Sequence, residues 1–319
     1  MTDESGLPVI VAVDGSGDSE RALRWAGEAA RLRSAALQVV HVWPYATAAR
    51  IADDDGGGDP VLDELRAQPL TWGLPGIEFR SLSGLTATQL PALGAEAQLL
   101  VLGSRGRGGF ASLLLGSNGL ACAAQSACPV VVVPRPDRGG ARRDEGGGAP
   151  PAVAQVTVGV DASSEEPGAI GFAFAEASRR GALLRVVSGY SWPLLMPPAF
   201  EYVAASEATQ QQYEDALGTQ LAAALAPHRV RHPEVDVRVE LRAADAAGQL
   251  VAASEDSELV VVARRRRRLP VGRRLGTVAH AVLLHALCPI AVVPEAEGPE
   301  GAGREGEAEG TGEVGRDQP

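Results

Sequence analysis

The sequence predicts an α/β protein made of two tandem domains, each an open, doubly wound five-stranded parallel sheet. Three observations carry this expectation. The chain repeats itself: VIVAVDGS at 9–16 returns as VTVGVDAS at 156–163, ACPV at 127–130 as LCPI at 287–290, and VVVVPRP at 130–136 as IAVVPEA at 290–296. Within each copy, short runs of Val, Leu and Ile alternate with stretches of helical period. Those runs are apolar throughout, as strands buried on both faces of a parallel sheet should be when helices connect them.

The 319 residues suffice for two domains. Asp14 and Asp161 are 147 positions apart, whereas Cys128 and Cys288 are 160 apart, so the second copy carries its extra residues in its middle. Residues 1–135 form the first expected domain and 153–294 the second. The segment 136–152, rich in Gly, Pro and charge, reads as a linker, and 295–319, rich in Gly and Glu, as a disordered acidic tail, because neither has apolar surface to bury.

In the first copy, Val9–Val13 is a strand, DGSGDS a turn, and Ala22, Trp25, Ala26 and Ala29 the apolar stripe of a helix. Strands follow at Leu37–Val42, Ile77–Leu82, Gln98–Leu102 and Pro129–Val133. Helices are expected at Pro60–Leu70, Thr86–Glu96 and Ser117–Ala127. The second copy keeps the order. Ser163 and Glu166 suggest a capping box, Ile170, Ala173, Phe174 and Ala177 line the first helix, and a long helix near Ser206–Leu225 replaces the stub at 60–70.

Composition excludes several classes. No run of about 18 apolar residues is present, so no membrane span is expected, and MTDESGLPVI lacks the features of a secretory signal, which makes the cytoplasm the expected location. All 29 basic side chains are arginine. Without lysine there is neither a P-loop nor Schiff-base chemistry. Of the net charge of −11, the tail supplies −6, from eight acids and two arginines, and such a balance does not suit nucleic acid. Cys122, Cys128 and Cys288 fit neither a disulfide framework nor a metal site and read as packing residues. The histidines show no metalloprotease spacing, no G-x-S-x-G occurs, and no catalytic residue is assigned.

The chemistry lies in the loop after the fourth strand. It reads Gly103-Ser-Arg105-Gly106, nine residues, then Gly116-Ser117-Asn118. Gly103 ends a buried strand and Gly116 precedes a helix, the place where open α/β sheets bind ligands. Glycines let the backbone approach phosphate oxygens, and a helix N-terminus adds free N–H donors. The bland readings are that Asp14 serves the first helix, that Gly103 and Gly106 are turn glycines, that Ser117 is an N-cap, that Val42 is a core residue and that Arg105 is a solvated surface residue.

This spacing, with VAVDGS, LQVVHVW and CPVVVVP, resembles the universal stress protein family and its ATP loop, G-x2-G-x9-G-[ST]. The likeness covers about 8–134 and 153–294. It implies an adenine nucleotide alpha hydrolase-like fold that binds ATP, with Asp14 at the nucleoside end and the Val42 backbone at adenine. Gly103, Gly106, Gly116 and Ser117, beside Asn118, would hold ribose and phosphates, and Arg105 would face the ligand. Mg²⁺ would sit on phosphate oxygens and water. The resemblance also implies that Val130–Val133 and Ile290–Val293 pair as the joint of an intramolecular pseudo-dimer. A further homodimer and a protein partner are left open.

The second copy departs from the pattern. Asp161, Gly276 and Thr277 remain, but Ala263 and Arg266 replace the two loop glycines and Gly189 stands where Val42 does. The run Arg264–Arg268 reads as a solvated loop, as an anion or nucleotide site made of side chains, or, least, as a nucleic-acid contact, since it lacks interleaved aromatics. The leading expectation is therefore an ATP-binding stress-response module. The alternatives are a structural interaction protein with a vestigial site and a slow ATPase.

Overall fold

The computed structural model describes residues 6–43, 58–68, 74, 76–106, 115–135, 153–162, 168–190, 207–264 and 275–295. The first half contains β1 (Val9–Ala12), α1 (Gly17–Arg33), β2 (Leu37–Trp43), α2 (Pro60–Arg66), β3 (Ile77–Ser83), α3 (Thr86–Ala92), β4 (Leu99–Gly103), α4 (Ser117–Gln125) and β5 (Val130–Val133). The second contains β6 (Gln155–Gly159), α5 (Gly168–Arg180), β7 (Leu183–Gly189), α6 (Glu207–Arg231), β8 (Val237–Arg242), α7 (Ala246–Ala253), β9 (Leu259–Arg264), α8 (Thr277–His285) and β10 (Ile290–Pro294).

The ten strands form one sheet in the order β3-β2-β1-β4-β5-β10-β9-β6-β7-β8. Each half is parallel with the order 3-2-1-4-5, and the two are joined where β5 and β10 run antiparallel, Val131 opposite Ala291. The apolar final strands, a liability if left as edges, thus close on each other. The outer edges, β3 and β8, carry charge instead: Glu78 and Arg80 on one, Arg238, Glu240 and Arg242 on the other.

Two layers of helices cover the sheet. On one face α1, α2, α5 and α6 pack on Val9, Val11, Leu99 and Leu184, with Phe174 of α5 in the same cluster; on the other α3, α4, α7 and α8 pack on Ile10, Leu100, Val130, Val260 and Ile290. Both cores run across the joint. Val9, Ile10 and Val11 are fully buried, which explains why β1 is apolar at successive positions rather than alternating.

Local signals account for most boundaries. Ser16 caps α1 by accepting from the Ser19 N–H at 3.2 Å, Asp18 and Glu20 lie in its first turn, Arg31 and Arg33 in its last, and Ser34 ends it in the left-handed region. Three helices are shorter than expected, α2 ending at Arg66, α3 at Ala92 and α4 at Gln125, while α6 continues past Leu225 to Arg231 through Pro227. α3 gives way to a 3-10 turn at Leu93–Ala95 because Gly94 lies against Ser126 and Ala127, where a Cβ would meet the Ala127 nitrogen at 2.8 Å. The suggested capping box at Ser163 and Glu166, the linker 136–152 and the tail beyond Glu295 lie outside the described residues.

Buried charges cross between the halves. Glu176 on α5 is fully buried and accepts from Arg33 of α1 as well as from Arg179 (2.9 Å) and Arg180 (3.4 Å) of its own helix. The Arg180 guanidinium lies over the Trp25 ring on α1, 5.2 Å from its centroid.

Candidate functional site

The sequence-chosen residues of the first half meet at the carboxyl ends of β1 and β4, the point where the strand order reverses from β1–β2 to β1–β4. Asp14 follows β1. Its Oδ1 accepts from the Ser16 N–H at 3.0 Å, so one oxygen does steady the turn into α1. Its Oδ2 faces the β4 loop, where a Cβ on Gly106 would lie 2.5 Å from it. Gly106 is therefore more than a turn glycine: without a side chain there, backbone and carboxylate come together.

Gly103 does something else. A Cβ on it would lie 2.7 Å from the Asp18 carbonyl carbon and oxygen, so this glycine lets β4 approach the first turn of α1. Gly116 has ordinary surroundings, the nearest atom to a Cβ being the Ser104 oxygen at 3.6 Å. It is itself the N-cap of α4, and no side chain bonds to the amides of that end. Ser117 is the first helical residue and is exposed, so the reading of Ser117 as N-cap is corrected: Gly116 holds that position. Asn118 is half-buried behind it, and Arg105 is half-buried between Ser104 and Gly106.

Val42 is buried in β2, paired with Leu82. The Val40 carbonyl accepts from Val13 N–H at 2.9 Å, beside the end of β1. Backbone polar groups two residues apart on a strand point to the same side, so those of Val42 turn toward the space past β1, above Asp14. The site thus has Val42 on one flank of β1 and Gly103–Gly106 on the other.

Sequence reasoning missed the residues that hold this loop. Ser104 donates its N–H to Val133 (2.9 Å), accepts at its carbonyl from Gly116 N–H (2.8 Å) and donates its hydroxyl to Asp18 Oδ2 (3.1 Å). Buried Asp18 also pairs with Arg21 and with Arg135 Nε at 2.7 Å. Asp18 carries only a first-turn signal, and nothing in the sequence links it to residues far along the chain. Asp59 was missed too. It caps α2 through Val61 N–H (3.1 Å) and Leu62 N–H (3.2 Å), and accepts from Trp43 Nε1 (2.7 Å) and Ser81 Oγ (2.8 Å) beside His41 Nδ1 (2.9 Å). Burial raises its pKa, but the bonds from Ser81, His41 and Leu62 and the charge of His41 outweigh that and leave the carboxyl below its ordinary value.

In the second half, Asp161 follows β6, Gly276 caps α8 without a side-chain bond, and Thr277 begins that helix, as their counterparts do. Ala263 lies on β9 in the place of Gly103. Arg264, expected in a solvated loop or an anion site, is buried and donates from Nη1 to the Ser126 carbonyl across the joint, because β9 runs one residue further along β10 and carries its side chain under the first half. Arg265–Arg268 lie outside the described residues.

The universal stress protein family model matches residues 7–134 and 153–294. This chain belongs to the universal stress protein family. A universal stress protein of Mycobacterium tuberculosis is 31% identical over 296 residues, covering 88% of this chain and 95% of the relative. The crystal structure of a universal stress protein from Archaeoglobus fulgidus has a TM-score of 0.61 at 15% identity, over 92% of this chain and 100% of that one. A universal stress protein crystallised in complex with cAMP is 31% identical, over 40% of this chain and 97% of its own, with a TM-score of 0.33.

The three cysteines of this universal stress protein are buried thiols, and burial, with the Cys128 thiol nearby, pushes the Cys122 pKa up to about 12. His280 and His285 are exposed. No helix among the described residues is long and apolar enough to cross a membrane.

Proposed function

We propose that the first half, residues 1–135, binds ATP and that the chain is a nucleotide-responsive binding module of the stress response. The observation that carries the reading is the approach of Gly106 to Asp14, beside an α4 N-terminus capped only by glycine. Backbone amides of Gly106 and of the first turn of α4 would receive phosphate oxygens, with the positive end of the helix dipole behind them. Arg105 would add charge at the rim, and Ser117 and Asn118 further hydrogen bonds. Asp14 would accept from the nucleoside end, and the Val42 backbone would read the adenine edge.

The residues fit this group in the sense that the glycines leave space where side chains would stand. Among the described residues no cluster of three His, Cys, Asp or Glu could hold a metal. Mg²⁺ bound with the nucleotide would be held by phosphate oxygens and water, where it offsets phosphate charge. The second half, 153–294, acts as the scaffold that pairs with the first through β5 and β10. ATP bound to the folded state alone would stabilise the chain by mass action.

Calorimetric titration of ATP with Mg²⁺ into nucleotide-stripped protein tests this. One site per chain, lost in a Gly106→Val variant that still melts cooperatively, is the expected result. Absence of binding by folded protein at two temperatures would leave the interaction-scaffold reading in its place.

A further inference from the structure

The second half keeps a cleft at the point that corresponds to the first half's site, and its lining has changed in one direction. The cleft has a volume of about 150 Å³ and lies between the ends of β6, β7 and β9 and helices α5, α7 and α8. Its walls are Val187, Leu250, Val262, Ala263, Val278 and Ala279, with Asp161 at the mouth. The strand registers align the halves: Val9 faces Leu37 as Val156 faces Leu184, and Val11 faces Val101 as Val158 faces Val261. On that alignment Val278 replaces Asn118 and Ala246 replaces Thr86, so two polar side chains have become apolar. Ala263 replaces Gly103, which adds a methyl where the first half has bare backbone.

The β7 side is narrowed by backbone. A Cβ on Gly189 would lie 2.6 Å from the Ala244 oxygen, so the turn between β8 and α7 closes over the strand end where the first half carries Val42. On the other wall the Leu250 side chain fills the place of a Cβ on Gly159, 2.6 Å away. What remains is a small apolar space of the size that takes one six-membered ring, with a carboxylate at its opening.

We propose that this cleft is a second binding site, for a single-ring amine: the ring enters between Leu250, Val262 and Val278, and the amine meets Asp161. Apolar burial supplies most of the binding and the carboxylate sets the sign of charge preferred. Arg264, at the end of β9, turns away to Ser126. The inference is independent of nucleotide binding by the first half.

The test uses the full chain and three one-ring probes, benzylamine, toluene and benzoate, titrated by ligand-observed NMR with and without saturating ATP and Mg²⁺. Benzylamine is expected to bind more tightly than benzoate, and ATP not to displace it. Asp161→Asn should weaken benzylamine about fivefold and leave toluene unchanged, the modest factor reflecting the exposure of Asp161. Val278→Asn, which restores the first half's residue, should weaken both about fivefold. Both variants alter half-buried or exposed positions, and a thermal melt of each checks the fold. Benzoate binding as tightly as benzylamine, or benzylamine binding unaltered in both folded variants, would overturn the proposal.

Discussion

Replacing Glu176 by Gln should destabilise the chain more than any single surface change. The side chain of Glu176 is 0% exposed and that of Arg33 3%, and the two meet across the halves. Burial is the largest influence on Arg33 and pushes its pKa down to about 10; Glu176 opposes that, and Arg179 and Arg180 reinforce it. At pH 7 the guanidinium is still charged, so the amide leaves it buried beside two more arginines without a counter-charge. Removing one partner of a buried pair costs about 3–5 kcal/mol. For domains of some hundreds of residues each kcal/mol moves the melting temperature by roughly 2–4 °C, so a fall of roughly 6–20 °C is expected. Differential scanning calorimetry of the full chain measures it, with hydrogen exchange on α1 and α5 to locate the loss. The pair Arg33→Met with Glu176→Leu should recover most of it, because an apolar contact replaces a desolvated one. A melting temperature unchanged in Glu176→Gln would refute the argument that this carboxylate holds the halves together.

Three further outcomes follow from the geometry. Gly103→Ala places a Cβ 2.7 Å from Asp18 backbone atoms and should cost about 1–3 kcal/mol in urea unfolding whether or not nucleotide is present. Gly106→Ala meets a side-chain oxygen of Asp14 instead, at 2.5 Å, so it should leave stability nearly intact and weaken ATP about tenfold in calorimetry. For Asp59 the folded pKa lies below the unfolded one, so its contribution is present above the unfolded value near 4 and is lost as pH falls through the folded pKa; Asp59→Asn should be less stable at pH 7 and lose less of its stability between pH 5 and pH 2 in acid denaturation.

The parallel halves were legible because burial on both faces writes itself into VIVAV and LLVLG as continuous apolar runs, and the loop was legible because glycine is the only residue that leaves backbone bare. What was not legible depends on distance through the fold. Asp18 looks like an ordinary first-turn acid until Ser104 and Arg135 arrive beside it from other elements. Asp59 ends the acidic, glycine-rich stretch DDDGGGD, yet it is buried under donors from β2, β3 and α2. Gly103 fits the loop motif, and its steric need is α1, which no spacing rule contains.

The second half shows why its loop did not stay a copy of the first. Arg264 stands where Ser104 does, and Ser104 closes the first loop by three hydrogen bonds, one of them from its hydroxyl to Asp18. An arginine has no hydroxyl to make that last bond. It reaches instead to the Ser126 carbonyl just past α4, under the other half. The same asymmetry holds on the opposite face of the sheet, where Arg33 and Arg180 occupy matching positions of α1 and α5 but only α5 has the acid, Glu176, its counterpart being Ala29. Two first halves pairing with each other would bring Arg33 against Arg33 with no carboxylate between them. A buried like-charge contact of that kind is unfavourable, so these substitutions direct the first half to pair with the second. The arginine that takes the place of Ser104 in the second half's loop is thus the residue that reaches across to the first.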